Sequence, residues 1–453
     1  MENTESNLGL LLVFALLAFA YMGWTYRTQD PNEFHTVNRR AGFLRIFASL
    51  FTVVGASEFV VFTTLAYLFG WFSLSFFGGA FAGFCLLYFL VPSIRERAQE
   101  LDHHSIPDFA ASQSLISAAR LLSLTSVVFT CALVLIQVLI GTRLIENLTG
   151  AEFSVIALLL VGGVFIYIFW GGLQALLYTD VVQGVVLFVF TLTLALFLGG
   201  GLEQGQIQES RPALGLGDSW IDLTILFIGG MFAIAGGPEI WQRIVTCKDE
   251  GTTRKSLLFS GVTMLVWGLF VVWLGTSIRS QIPDADPDTA FFDFLSQGLP
   301  EWVLGLVLVM LLAAIMSTAD TELFTAGVII HKELQRFRPS DGLTMTRTRL
   351  ILAAAALLVF GMTYIFRDNI LNIYLGLVYL TFITGPIAFA VLFKRGGRSA
   401  VVRGWIISCS IALSLAVFSW LLWKNLLLSW YPALILPVSL LPLAFPGPKE
   451  GKE

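Results

Sequence analysis

An all-α integral membrane protein with about thirteen transmembrane helices is the fold class that this sequence predicts, on three observations. The composition is 56% hydrophobic and only 13% charged, whereas an ordinary soluble domain carries about a quarter charged residues. A soluble core cannot hide that much apolar surface. Apolar stretches of roughly 20 residues recur along the chain, the length an α-helix needs to cross a hydrocarbon core of about 30 Å. These stretches lack period-two alternation, and lipid-facing backbone must satisfy its hydrogen bonds within its own segment, so they are helices and not barrel strands.

The spans are expected at 7–26, 43–70, 72–94, 118–147, 153–171, 173–200, 219–244, 255–280, 300–331, 347–366, 369–393, 402–423 and 427–446. Ala18-Phe19-Ala20 has the small-residue pattern of a signal-peptidase site, but Glu2 and Glu5 stand where a signal peptide carries its basic region, and Arg27 follows. The stretch 7–26 is therefore read as a first span that starts outside. The resulting alternation leaves five of the 27 Lys and Arg outside (Arg143, Arg211, Arg279, Arg367, Lys424) and the other 22 in the cytoplasm. This agrees with the positive-inside rule. The expectation is a multi-pass protein of the cell (inner or plasma) membrane, N-terminus outside and C-terminus cytoplasmic, with the lipid bilayer as its surroundings.

The net charge of −4 implies no nucleic-acid partner, and no obligatory protein partner is evident. Cys85, Cys131, Cys247 and Cys409 lack paired spacing, and His35, His103, His104 and His331 lie at or beyond span ends. Neither set reads as a disulfide framework or a metal site.

No linker or low-complexity tract divides the chain, and its longest polar interval, 201–218, is an outer loop. A single transmembrane domain over 1–453 is expected. With no soluble catalytic domain at either end, the work is done inside the bundle, which points to transport. Setting aside the first span, two Gly/Pro interruptions stand five helices apart: Val54-Gly55-Ala56-Ser57-Glu58-Phe59, and Ile228-Gly229-Gly230 followed by Gly236-Gly237-Pro238. Unwound strips expose carbonyls that can ligate a cation, and matched breaks in two halves point to a transport site. Close helix packing is the alternative, as for Gly79-Ala80-Phe81-Ala82-Gly83.

Ionisable residues within spans are functional candidates by default. Glu58 sits mid-span beside the first break, as a structural carboxylate, a cation partner or a proton-titrating group. Asp320 and Glu322 follow Ala313-Ala314-Ile315-Met316-Ser317-Thr318, whose hydroxyls and a carbonyl one turn earlier can supply oxygen ligands to a hard cation; such hydroxyls also commonly bond back to their own helix. Asp180, with Thr179 and Gln183, forms a third polar group.

The residues resemble the sodium:solute symporter family over nearly the whole chain. Gly171-Gly172-Leu173-Gln174-Ala175 with Tyr178-Thr179-Asp180-Val181-Val182-Gln183 is similar to its signature. Gly237-Pro238-Glu239-Ile240-Trp241-Gln242-Arg243, followed by Lys248-Asp249, resembles its sixth-core-helix motif. Ala314-Ile315-Met316-Ser317-Thr318-Ala319-Asp320 resembles its eighth, and Ile106-Pro107-Asp108-Phe109 the loop before its third. The resemblance implies a five-plus-five inverted-repeat core of the leucine-transporter type. That divides the chain into an extra N-terminal helix and loop at 7–42, repeats at 43–200 and 219–394, and two further helices at 395–453. It also implies a sodium ion held by the carbonyls of Ala56, Phe59 and Ala314 and the hydroxyls of Ser317 and Thr318. Asp180, with Thr179 and Asp320, is implied on an ion path or at a second sodium site. Glu58 stands where the proline-transporter branch carries an aspartate.

The chain departs from its sugar-carrying members at Gly237-Pro238, from the proline branch at Glu239, and from the sialic acid carriers in lacking a mid-span arginine in the third core helix. An amino acid-like or amine-bearing solute, or a small organic acid, is expected. Position in that fold makes Ser57, Glu58, Gln137, Phe232, Gly236, Tyr374 and Thr381 the expected solute-facing residues. A solute-sensing module and a proton-coupled variant through Glu58 are the alternatives. A membrane enzyme is disfavoured, because no nucleophile and base occur together within the spans.

Overall fold

A computed structural model of the chain describes residues 17–199 except 19, 54–55, 102 and 112–115, residues 220–296 except 288, residues 301–337 and 344–367, and nine positions between 370 and 385. Among the described residues every regular element is helical, apart from one isolated bridge pair, Ala41 with Cys247. A short α1 (Pro31–Thr36) leads to α2 (Phe43–Thr52) and α3 (Ala56–Phe69), which share the span expected at 43–70. Then come α4 (Leu74–Glu100), a short α5 (Ile106–Ala111), α6 (Ile116–Thr149) and α7 (Phe153–Gly199). Next, α8 (Trp220–Ala235) and α9 (Pro238–Thr246) share one span, before α10 (Glu250–Gln281), α11 (Ala290–Ser296), α12 (Glu301–Phe337) and α13 (Met345–Ile365). The expected spans 402–423 and 427–446 lie outside the described residues, and 7–26 and 369–393 fall only partly within them.

Six helical stretches are long and apolar enough to cross a membrane, and α8 with α9 form a further one bent by 40°. One of the six, Phe153–Leu196, has 44 residues. At about 1.5 Å per residue that is about twice the thickness of a hydrocarbon core, too long for one crossing. It is divided at Gly172, whose φ is 56° and ψ −145°. A Cβ there would also lie 2.5 Å from the Phe34 ring, so both backbone and space demand glycine. The boundary expected between 153–171 and 173–200 is this kink within one helical run.

At the first expected interruption α2 ends at Thr52 and Val53 is in a turn, while Val54 and Gly55 lie outside the described residues and Ala56 to Phe59 are already helical. The second is narrower than expected. Helix α8 continues through Gly229-Gly230 and stops only before Gly236-Gly237, where Pro238 opens α9. Gly230 admits a neighbour instead: its Cβ would stand 2.0 Å from the Phe76 carbonyl oxygen, and one on Gly79 would stand 1.8 Å from that of Phe227. The backbones of α4 and α8 therefore touch. Across the break, the Trp241 indole N–H donates to the Ala235 carbonyl at 2.8 Å, satisfying one acceptor left at the end of α8.

Helix α4 packs on α8 and α10, while α12 packs on α6, α7 and α13. The broken pair lies between these groups, α2 against α7 and α10, α3 against α10, α6 and α12. The lead-in to α2 is tied to the exit of α9, since Ala41 N–H donates to Thr246 O at 3.2 Å and Lys248 N–H to Ala41 O at 2.9 Å. The two broken helices are thus joined at one end.

Candidate functional site

Where α2 stops, its last carbonyls lose their helical partners and form the negative end of its dipole. Thr318 of α12 faces them. Its Oγ1 lies 3.4 Å from Thr52 O, 3.3 Å from Val53 O and 3.2 Å from Ala314 O. One hydroxyl proton can serve only one of three acceptors at a time. The spot is rich in oxygen lone pairs and poor in protons, which suits a hard cation.

The neighbouring hydroxyl points the other way. Ser317 Oγ donates to Asp180 Oδ1 on α7 at 2.6 Å, and Thr52 Oγ1 lies 3.3 Å from the same oxygen. Asp180 is fully buried, and its Oδ2 has no hydrogen-bond partner. One turn along α12, the Tyr167 hydroxyl donates to Asp320 Oδ2, and Asp320 Oδ1 is buried without a partner. A buried carboxylate oxygen without a donor is costly, so these two orphaned oxygens mark places where a cation or proton is at home.

Arg243 of α9 is also fully buried. It donates from Nε to Ser49 Oγ at 2.9 Å, from Nη1 to Gln242 Oε1 at 3.0 Å and from Nη2 to Thr321 Oγ1 at 2.7 Å. These bonds go to neutral oxygens, while Asp180, Asp320, Glu239 and Glu322 all lie within its electrostatic reach.

Beside this cluster is a cavity with a water-accessible volume of about 50 Å³. It is bounded by Val53 at the first break, Phe76 of α4, Phe129 and Leu133 of α6, Ile240 of α9, Met264 of α10 and Leu377. Its polar lining is Glu239, Glu322, Tyr374 and Thr381.

The expected residues divide accordingly. Ala314, Ser317, Thr318, Asp180 and Asp320 come together around the end of α2. Thr179 turns its hydroxyl back to Leu176 O at 2.8 Å. Phe59 is buried, with its carbonyl accepting from Thr63 Oγ1 at 2.6 Å. Ala56, Ser57 and Glu58 open α3, and their side chains lie outside the described ones. Tyr374 and Thr381 line the cavity; Gln137, Phe232 and Gly236 are buried but outside its wall. Gly236 permits close approach, since its Cβ would stand 2.8 Å from Gly385 Cα. Sequence reasoning passed over Tyr167 and Thr52, whose roles depend on residues far along the chain, and it did not place Glu239 or Glu322 in a cavity.

At the end of the bundle expected to be cytoplasmic, Asp108 joins the α5 loop to α12. Its Oδ2 accepts from His104 N–H at 2.9 Å and from Ser105 N–H and Oγ at 3.0 Å each, and its Oδ1 accepts from Arg336 Nη2 at 2.7 Å. Burial alone would raise this carboxyl, but Lys332 and Arg336 hold it below its usual value. Burial pushes His35 and His103 down to about 4. Arg95 donates to Ile244 O at 3.0 Å and Cys247 O at 2.6 Å, tying α4 to the end of α9.

The model of the sodium:solute symporter family matches residues 34–395. A sodium/pantothenate symporter of Haemophilus influenzae is 27% identical over 365 residues, covering 72% of each chain. Among solved structures, a Na+-coupled sialic acid symporter in a substrate-bound outward-open state superposes with a TM-score of 0.80 at 16% identity, over 97% of this chain and 96% of that one. Mhp1, a nucleobase-cation-symport-1 family transporter in a closed conformation with bromovinylhydantoin bound, gives 0.63 at 13% identity, over 90% and 92%. Both are transporters of the leucine-transporter fold. Matched over 34–395, the chain belongs to the sodium:solute symporter family, and it is a sodium-using, multi-pass membrane transporter and not an enzyme.

Proposed function

We propose that the chain takes up a small organic solute, amino acid-like, amine-bearing or a small organic acid, by alternating access, with sodium moving inward as its co-substrate. In this reading the carbonyls of Ala56, Phe59 and Ala314 and the hydroxyls of Ser317 and Thr318 hold the ion. The observation that carries it is the Thr318 hydroxyl set among the carbonyls of Thr52, Val53 and Ala314, which is an excess of acceptors over protons. The Phe59 carbonyl already serves its own helix and the Thr63 hydroxyl, so in this reading the ion displaces that hydroxyl from it. Asp180 and Asp320, each with an orphaned oxygen, then form the ion's inward path or a second cation site, with Thr179 beside them.

In the same reading thirteen helices include two inverted repeats at 43–200 and 219–394, with the N-terminus outside. The helix ends at Thr52 and at Ala235, in the first helix of each half, support it.

Thermal unfolding of the purified protein in sodium, against equal potassium, tests the sodium site. Sodium is expected to stabilise the wild type, and Ser317→Ala or Thr318→Ala to remove most of that stabilisation. Equal stability of the wild type in both salts would sink the reading. Counterflow of a stabilising solute in vesicles separates transport from sensing.

A further inference from the structure

We propose that Arg27, Arg40 and Arg45 form a site for the phosphodiester headgroup of an anionic phospholipid, at the end of the bundle that is cytoplasmic in the orientation proposed above. It shares no residue with the proposed ion and solute sites.

Three segments distant in sequence meet there through an alternation of guanidinia and rings. Arg45, in the first turn of α2, holds its guanidinium carbon 5.2 Å from the centroid of the Tyr178 ring on α7, and its Nη2 donates to Arg40 O at 3.3 Å. Tyr178 stacks on Tyr26, with ring centroids 3.9 Å apart and 5° between the planes. Arg27, beside Tyr26, lies 3.7 Å from the centroid of the Trp24 ring and donates from Nη1 to Trp24 O at 3.1 Å. Arg27, Arg40 and Trp24 are exposed.

Charge selects the class of ligand. Elsewhere at this end of the bundle Arg336 pairs with Asp108 at 2.7 Å, Arg254 with Glu250 at 3.1 Å and Lys248 with Asp249 at 3.7 Å. Among the described residues, none of Arg27, Arg40 and Arg45 has a carboxylate partner. The acidic residues that follow Arg27 are engaged otherwise. Asp30 accepts from Asn32 N–H at 3.0 Å and from Asn38 Nδ2 at 3.2 Å, and Glu33 accepts from the Thr28 hydroxyl at 2.7 Å. Each guanidinium carries five N–H donors in a fork that matches phosphate oxygens, and Arg27 and Arg45 each spend one on a carbonyl. Rings at this level suit the membrane–water interface, and basic patches between spans suit anionic headgroups.

The surface below the rings selects a lipid over a free anion. Tyr178, Val182, Val185 and Val189 recur at spacings of four, three and four on one face of α7, and the three valines are exposed. This stripe leads from the arginines towards the middle of the span expected at 173–200. An acyl chain can lie along it, whereas inorganic phosphate gains nothing from it. A lipid held there links the segment before α1, the start of α2 and α7.

The test uses the purified full-length protein in a neutral maltoside detergent at low salt, titrated with phosphatidylglycerol or phosphatidylcholine. Bound lipid is read by native mass spectrometry, and the unfolding temperature is followed in the same samples. Phosphatidylglycerol is expected to bind about ten-fold or more tightly than phosphatidylcholine and to raise the unfolding temperature, both effects shrinking as salt screens the arginines. Arg40→Gln is expected to weaken phosphatidylglycerol binding about five-fold, equivalent to about 1 kcal/mol for one basic residue near a membrane surface. Arg27→Gln/Arg40→Gln/Arg45→Gln is expected to abolish the preference, and Arg254→Gln/Lys255→Gln, at the same end of the bundle, to keep it. Equal binding of the two lipids, an unchanged preference in the triple variant, or the same loss in Arg254→Gln/Lys255→Gln overturns the proposal. Stabilisation by inorganic phosphate equal to that by phosphatidylglycerol assigns the patch to a free anion and overturns it as well. If the triple variant fails to fold, Arg40→Gln alone decides.

Discussion

Ser317 on α12 donates a 2.6 Å hydrogen bond to Asp180 Oδ1 on α7, while the adjacent Thr318 faces the carbonyls at the end of α2. One hydroxyl serves a carboxylate and the other a helix end, which makes Thr318 the direct probe of the helix-end oxygens. Thr318→Ser keeps the oxygen and is expected to keep the sodium response. Thr318→Ala is expected to raise the sodium concentration for half-maximal stabilisation about ten-fold or more, equivalent to about 1.4 kcal/mol. A sodium titration of the unfolding temperature reads both; an unaltered midpoint in Thr318→Ala would remove this hydroxyl from the site.

Asp180→Asn has an expected effect of opposite sign in the two salts. The buried carboxylate has an oxygen without a donor, so neutralising it should leave stability in potassium unchanged or raised. The same change should reduce stabilisation by sodium. A variant stabilised by sodium as strongly as the wild type would show that Asp180 takes no part in ion binding.

Much of this was legible as run length and punctuation: apolar stretches give the helices, and Gly/Pro clusters mark the breaks. Gly229-Gly230 was misleading because a glycine pair reads alike whether it frees the backbone or admits a neighbour. Only the Phe76 carbonyl, 2.0 Å from a Cβ on Gly230, distinguishes the two. Tyr167 in an apolar run reads as one more ring, and its donor role exists only because α12 brings Asp320 to it. Glu239 and Glu322 were visible as residues, but which face they turn to the cavity depends on the rotation of α9 and α12, which no local pattern records.

Tyr167→Phe removes the donor to Asp320 Oδ2 and leaves a fully buried carboxylate poorer in hydrogen bonds. A loss of about 1–3 kcal/mol is expected, seen as a lower unfolding temperature in either salt. In the Asp320→Asn background the same change should be smaller by about 1 kcal/mol or more, as contacting residues couple. Additive effects in this double-mutant cycle would show that the contact carries no energy.

Acidification should act in two windows. His103 and His35 are pushed down to about 4 from 6.5 by burial, so the unfolded chain takes up their protons first. Stability therefore falls as pH drops from about 6.5 towards 4. Asp108 is held below 3.8 with Lys332 and Arg336; its contribution is full above that value and is lost only as pH falls through its lowered folded value. His103→Gln is expected to flatten the unfolding-temperature profile between pH 6.5 and 4, and Asp108→Asn to lower the whole profile above pH 4. The reverse assignment of windows would contradict these surroundings.

Gly172 and Gly162 lie in the same helical run and should respond oppositely to alanine. Gly172 has φ 56° and ψ −145°, in a region of backbone space open essentially to glycine alone and costing other residues about 1–3 kcal/mol. A Cβ there would further press on Phe34, 2.5 Å away. Gly162 has regular helical geometry and nothing within 4 Å of a Cβ, so alanine there should be neutral or favourable by up to about 1 kcal/mol. The kink also sets the register of everything after it in α7, including Asp180 eight residues on. Gly172→Ala is therefore expected both to lower the unfolding temperature and to weaken the sodium response in whatever protein remains folded, whereas Gly162→Ala should change neither downward. A Gly172→Ala protein as stable as the wild type, with an intact sodium midpoint, would mean that the kink neither requires glycine nor positions the carboxylate.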